Sequence, residues 1–336
     1  MTTGDFDLYY FDQAQDDEWR NYEVNAFNLE PGKGYLYAHK VGGEFTLTGT
    51  PYTGNGTIEL VYDDNAIDFK GWNLVGNPWG VKAYPNHAFY TMAEGGAGID
   101  VNVYAAGTEV AAMTGIFVVA EGANQTVTFE TEDSGKRSAN LALNITNSSK
   151  LVDRAIVRFG EGHQLPKFQL NPNHTKVYIE QDNKDYAIVN AEEIGEMPVS
   201  FKAEKNGSYT ISFSNENVEF GYLHLIDNMT GADIDLLETP SYSFDAKVTD
   251  YASRFKLVFA TSNDSNDNHF AFYNNGNIVI NNEGSAILNI VDVLGRTISS
   301  QTINGSENVS INAKAGVYTL QLIQGEKVMT QKIVVE

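Results

Sequence analysis

Histidines come first among residues able to do chemistry, because imidazole is both a common metal ligand and a base near neutral pH. The chain has His39, His87, His163, His174, His224 and His269. No two of them flank a glutamate at the four-residue spacing that puts two imidazoles on one helix face for zinc. His163 and His174 are separated by Pro166 and Pro172 and read as loop residues. His224 lies on an alternating strand and reads as packed. No Gly-x-Ser-x-Gly elbow, phosphate loop or dinucleotide-binding glycine pattern occurs. Cysteine is absent, which removes thiolate metal sites, disulfides and a cysteine nucleophile. Carboxylates number 44. With that many, a pair at glycosidase spacing arises by chance and singles out no residue. Asp63-Asp64-Asn65 and Asp182-Asn183-Lys184-Asp185 lack the spacing of a calcium loop and read as Asx turns. The expectation is a chain that is not an enzyme, with no metal and no cofactor.

Aromatic residues offer more. Trp72, Trp79 and Tyr84 cluster in and after Gly71-Trp72-Asn73-Leu74-Val75-Gly76-Asn77-Pro78. An exposed ring presents a flat apolar face to a sugar. Trp79 and Tyr84 are the candidates for glycan stacking, and Trp72 reads as a core anchor.

These residues must be carried by strands. The chain has 336 residues, 22 of them basic and 44 acidic, for a net charge of −22. That charge opposes binding to nucleic acid, whose backbone needs a basic face, and to an anionic membrane. No apolar run approaches the roughly 18 residues of a membrane span. Aromatics are 12% and charged residues only 20%, so the composition is that of a folded β protein rather than an acidic tail.

Residues 1–132 read as a β-rich repeat module. Leu8-Tyr9-Tyr10-Phe11 and Gly34-Tyr35-Leu36-Tyr37-Ala38 reappear as Phe89-Tyr90-Thr91-Met92 and Gly115-Ile116-Phe117-Val118-Val119. Phe45-Thr46-Leu47 and Val127-Thr128-Phe129 are the alternating strands that follow. The second copy is headed by the Gly-Trp-Asn-Leu motif and the first has no such head, so the sequence reads as beginning inside a truncated copy. Met1-Thr2-Thr3-Gly4-Asp5 is neither basic nor apolar, unlike a secretion signal. The expectation is a fragment whose true start lies upstream. A short helix is expected over Gln13–Tyr22, with acidic residues in its first turn. Residues 137–261 hold about eight alternating strands at the spacing of a β-sandwich. Residues 262–268, Ser-Asn-Asp-Ser-Asn-Asp-Asn, carry no apolar side chain and read as a linker. Residues 269–336 read as a small separate β domain, so the whole chain is expected to be all-β.

Three blocks near the end carry a resemblance. Val291-Asp292-Val293-Leu294-Gly295-Arg296, Ala315-Gly316-Val317-Tyr318-Thr319-Leu320 and Met329-Thr330-Gln331-Lys332-Ile333-Val334-Val335 resemble the C-terminal sorting domain of type IX (Por) secretion substrates of Bacteroidetes. The resemblance implies an immunoglobulin-like sandwich read by the outer-membrane translocon. It also implies a sortase that cuts in the preceding linker, and release or attachment to surface lipopolysaccharide. The residues implied in the signal are Asp292, Leu294, Gly295, Arg296, Gly316, Tyr318, Gln331, Lys332 and Val334. Asp153–Gly162, His224–Gly231, Asp250–Phe255 and the Gly-Trp-Asn-Leu motif resemble segments common in large surface proteins of the same bacteria. The expected role is that of a secreted surface protein with structural or adhesive β modules. Two other readings stay open: the accessory tail of a peptidase or glycosidase, and a carbohydrate-binding module. A glycan or protein ligand remains unidentified from sequence.

Overall fold

Alternating apolar residues punctuated by Gly, Asn and Asp turns give strands throughout the computed structural model, which describes residues 5–42, 48–92, 101–135, 137–261, 270–274 and 276–335. Every regular element among these residues is a strand, so the chain is all-β. The first module holds β1 (Phe6–Phe11), β2 (Trp19–Asn21), β3 (Leu36–His39), β4 (Thr57–Glu59) and β5 (Trp72–Gly76). It continues with β6 (Tyr84–Pro85), β7 (Phe89–Met92), β8 (Val101–Tyr104), β9 (Gly115–Val119) and β10 (Thr126–Glu130).

The two copies share one topology. The first forms a sheet β2-β1-β3 and the second a sheet β8-β7-β9-β5. The registers correspond as well: Tyr9 faces Asn21 and Leu36, and Tyr90 faces Val103 and Phe117. Gly32 and Met113, just before the matching strands β3 and β9, both adopt a left-handed backbone, φ 80° and 62°. Strand β5 joins the copies. One edge pairs with β9, and the other meets the segment before β3, where Gly34 N–H donates to Leu74 O at 3.0 Å and Gly76 N–H to Gly32 O at 2.9 Å. The expected strand at Phe45–Leu47 lies outside the described residues.

The helix expected over Gln13–Tyr22 does not form. Asp12 Oδ1 instead accepts the Ala14 N–H at 3.1 Å, and Trp19–Asn21 pair with β1. The physical reason is Gln13, which is buried. Its Nε2 donates to Val61 O (2.9 Å) and Trp72 O (3.0 Å), and its Oε1 accepts the N–H of Asp63 (3.1 Å) and Gly71 (2.7 Å). Four bonds to residues 61–72 outweigh a weak local helix preference.

The second module comprises β11 (Ala139–Asn147), β12 (Lys150–Phe159), β13 (Leu165–Pro166), β14 (Lys176–Gln181), β15 (Lys184–Ala191) and β16 (Ile194–Lys202). It is completed by β17 (Gly207–Glu216), β18 (Phe220–Asp227), β19 (Ala232–Asp235), β20 (Ser241–Ala246) and β21 (Phe255–Thr261). These eleven strands, rather than eight, form one sheet, ten on a continuous hydrogen-bonded path with β13 pairing β15 beside it, and wrap a common core containing Leu143, Val157, Val199, Leu225 and Phe255. Two of the resemblance segments meet in a buried ion pair. Arg254 Nε and Nη2 donate to Asp227 Oδ1 and Oδ2 at 3.1 and 2.8 Å, and Tyr242 adds a hydroxyl at 3.1 Å. Burial pushes the Asp227 carboxyl up, but the bonds from Arg254, the Met229 N–H and Tyr242 outweigh it and hold it below the ordinary carboxylate range. A third segment holds Asp153, buried against Lys167 Nζ at 2.6 Å.

The outer faces of this module are covered too. Ile156 and Ile188 pack with Phe168, Trp72, Tyr90 and Phe117, a cluster that binds the first module to the second. At the other end Tyr222, Val258 and Ala260 pack on Val279 of the third module. That module is β22 (Ala271–Asn274), β23 (Asn277–Ile280), β24 (Ser285–Asp292), β25 (Thr297–Asn304), β26 (Glu307–Ser310), β27 (Gly316–Gln324) and β28 (Lys327–Val335). Its sheets, β22-β23-β26 and β25-β24-β27-β28, sandwich Ile278, Ile280, Leu288, Ile290, Leu320, Leu322 and Ile333. The expected linker 262–268 lies outside the described residues.

Candidate functional site

The turn between β24 and β25 is built by its own sequence. Asp292 Oδ1 accepts the N–H of Leu294 and of Arg296, each at 2.9 Å. Arg296 returns Nε to Asp292 Oδ2 at 2.7 Å. Gly295 sits at φ 80°, where a side chain is strained. The Arg296 N–H most of all holds the Asp292 carboxyl below its ordinary range; desolvation opposes it, and the Arg296 guanidinium and the Leu294 N–H add to the lowering. The clamp leaves two apolar side chains at the tip in solvent: Val293 is 77% exposed and Leu294 75%. The pair is adjacent and held out by the turn rather than left on a loose loop, which makes it a candidate contact.

The remaining residues of the expected signal divide by position. Lys332 and Val334 point outward from β28, on the face opposite Ile333 and Val335. Beside them on this face lie Ile287, Val317 and Val328, all exposed. Lys332 is the one charged strand residue on the face, whose other members are apolar or neutral polar. In a chain of net charge −22, such a neutral, β-branched surface is suited to docking. Tyr318 and Gln331 face inward. The Tyr318 hydroxyl donates to Lys314 O at 2.8 Å, as Tyr209 donates to Lys205 O at 2.8 Å in the second module. The Gln331 carboxamide accepts the N–H of Phe270 and Ala271 at 2.7 and 2.8 Å. Both side chains therefore hold the sandwich together. A Cβ on Gly316 would meet only ordinary contacts, at 3.8 Å or beyond. Sequence reading passed over Val293, Ile287, Val317 and Val328. The signal was apolar residues on both faces of strands that needed only one.

The glycan candidates lie elsewhere. Trp79 is half-buried, its indole N–H donating to Phe129 O at 2.9 Å and its ring edge-on to Tyr52 at 4.9 Å. Tyr84 is buried, with its hydroxyl on Glu109 at 3.1 Å. Its ring therefore has no open face for a sugar, because strand β6 turns it into the core. Trp72 is a core residue, 4.5 Å from Phe168. His224 stacks on Tyr222 at 4.1 Å and bonds Asp233 at 2.7 Å. No group of three or more His, Asp or Glu side chains is placed to share a metal ion among the described residues. No helix is long and apolar enough to cross a membrane among them.

Comparison with known proteins agrees with the geometry of the tail. Residues 274–336 match the family model described as secretion system C-terminal sorting domain. Over 78 residues the chain is 31% identical to the minor fimbrium subunit Mfa5 of Porphyromonas gingivalis. That stretch is 23% of this chain and 6% of the relative. No solved structure matches the chain. The last module is thus a type IX secretion sorting domain, and the chain that carries it is a secreted, cell-surface protein.

Proposed function

We propose that the tail is read through the Val293–Leu294 tip and the neutral outer face of the four-stranded sheet, and that residues 5–261 are non-catalytic structural or adhesive modules displayed by that export. The observation that carries the reading is the Asp292–Arg296 clamp, which spends a charged pair and a left-handed glycine on holding two apolar side chains in water. The β22-β23-β26 sheet supplies the side chains that meet the second module, and among the described residues the outer face bearing Lys332 and Val334 stays exposed. In this reading the translocon is that partner, a sortase acts in the segment 262–268, and surface lipopolysaccharide is a destination of the mature chain. The acidic surface keeps the displayed modules soluble.

The test is export in a strain that has the secretion system. Deleting Phe270–Glu336 is expected to trap the chain in the periplasm, and so is Val293→Ser with Leu294→Ser in an otherwise folded tail. Surface display of the deletion would refute delivery. Display of the double variant alone would refute the tip. Turnover of a substrate by the purified chain would refute the non-catalytic reading.

A further inference from the structure

The outer face of β11, β12 and β15 changes character from one row to the next. Ala142, Ile156 and Ile188 stand side by side and are covered by the first module. The neighbouring row is Asn140, Arg158 and Asn190. Arg158 is 4% exposed and Asn140 5%. Arg158 donates from Nε and Nη2 to Asn190 Oδ1 at 2.9 and 2.6 Å, and from Nη2 to His163 O at 2.7 Å. All of these acceptors are neutral. Among the described residues no carboxylate pairs with the guanidinium, and its Nη1 makes no hydrogen bond. Asn140 Oδ1, beside it, has no partner either. Arginine cannot discharge, so its burial is offset here by dipoles alone.

Arg158 lines a cleft of about 450 Å³ between the first and second modules. Asn86 and His87 line it from the first, and His163 and Gln164 from the second. The two imidazoles are parallel, 7° apart in plane and 6.3 Å between centroids. Two acids line the cleft, the exposed Glu161 and Glu121, which is turned to His163 Nδ1 at 3.3 Å. The cleft thus offers one buried guanidinium with an unbonded Nη1 among amides and imidazoles, with the carboxylates of Glu121 and Glu161 also on its lining.

We propose that this cleft binds a small carboxylate-bearing saccharide, a sugar acid of the uronic type. Its carboxylate takes the free Nη1 of Arg158, and its hydroxyls take Asn86, His87 and Gln164. The volume lies in the range of small-molecule sites and far exceeds a bare ion. Neutral amides match hydroxyls rather than further charge. The net charge of −22 opposes a polyanion more strongly than a ligand with one negative group. The inference stands apart from the delivery reading, because the cleft belongs wholly to residues before 262, and it supplies a ligand class for an adhesive module.

The test is calorimetry of the full chain with glucuronate, glucose, acetate and sulfate. Saturable glucuronate binding is expected, at least tenfold tighter than glucose or acetate and weakened by salt. Arg158→Gln should reduce it at least tenfold. Because Arg158 is buried, Asn86→Ala and Gln164→Ala at the rim are measured beside it, with the melting temperature as a fold control. Each should weaken glucuronate and leave acetate unchanged. Arginine side-chain NMR of the unmodified chain should show the Arg158 guanidinium signals shifting on titration with glucuronate. No saturable binding of glucuronate overturns the proposal. So does glucose binding as tightly as glucuronate, sulfate binding at least as tightly, or glucuronate affinity untouched by the rim variants.

Discussion

Gln331, near the end of the last strand, is bonded through its carboxamide to the backbone of Ala271, at the start of the same module's first strand. Oε1 accepts the Ala271 N–H at 2.8 Å and Nε2 donates to Ala271 O at 2.5 Å. The contact joins the two sheets of the sorting domain at a point where no strand pairing does so. It ties a residue of the last sequence block into the fold of the tail.

Gln331→Ala leaves the partly buried N–H groups of Phe270 and Ala271 without an acceptor. The expected cost is about 1–3 kcal/mol in the stability of the sorting domain. Urea unfolding followed by hydrogen exchange in β22 and β28 measures it. Exchange should accelerate in those strands and remain unchanged in β11 and β12.

The tip separates shape from display. Gly295→Ala places a Cβ at a left-handed φ of 80° and should cost about 1–2 kcal/mol. Leu294→Ser removes no packed contact and should leave stability within about 0.5 kcal/mol of the parent. Export assays read the difference: Leu294→Ser should lose surface display despite a normal melting temperature. Equal display of Leu294→Ser and parent would mean the tip is not what is read.

Legibility in the sequence followed the range of the interactions. Asp292, Gly295 and Arg296 were visible because a turn is decided within five residues, and the Asp182-Asn183 turn for the same reason: both residues adopt positive φ between β14 and β15. The repeat was visible because equivalent strands carry equivalent side chains. Gln13 was not, since its partners lie 48 to 59 positions away. Its surroundings looked like a helix start only because the bonds that prevent one are tertiary. Gln331 failed for the same reason, its partner standing 60 positions away. Tyr84 reads as a candidate surface ring because a two-residue strand such as β6 has no alternation to show which side faces in.

The Asp227–Arg254 pair sets a pH dependence. The folded carboxyl lies below its ordinary value, so the pair contributes stability that is present above the unfolded pKa of about 3.9. The contribution is lost as pH falls through the lower folded value. Urea midpoints between pH 6 and pH 2 should therefore fall with acid for the parent, and the slope should flatten in Asp227→Asn. Arg254→Leu leaves a buried, unpaired carboxylate and should cost roughly 3–5 kcal/mol at neutral pH. That loss should shrink as the carboxyl is protonated.

The two tryptophans of the Gly-Trp-Asn-Leu region should behave oppositely. Trp72 is buried between modules against Phe168 and Tyr90. Trp72→Ala opens a cavity there and should cost about 3–5 kcal/mol, loosening the first module from the second. The Trp79 side chain holds one hydrogen bond, to Phe129 O, and keeps part of its ring in water. Trp79→Ala should cost about 1 kcal/mol for that bond, plus its partial packing on the core of the first module, and less in total than Trp72→Ala. If glycans stack in this region, Trp79 alone can receive them, since Tyr84 is turned inward. Binding on a glycan array should then vanish in Trp79→Ala while the fold persists. Glucuronate binding at Arg158 should be unaffected, because Trp79 does not line that cleft.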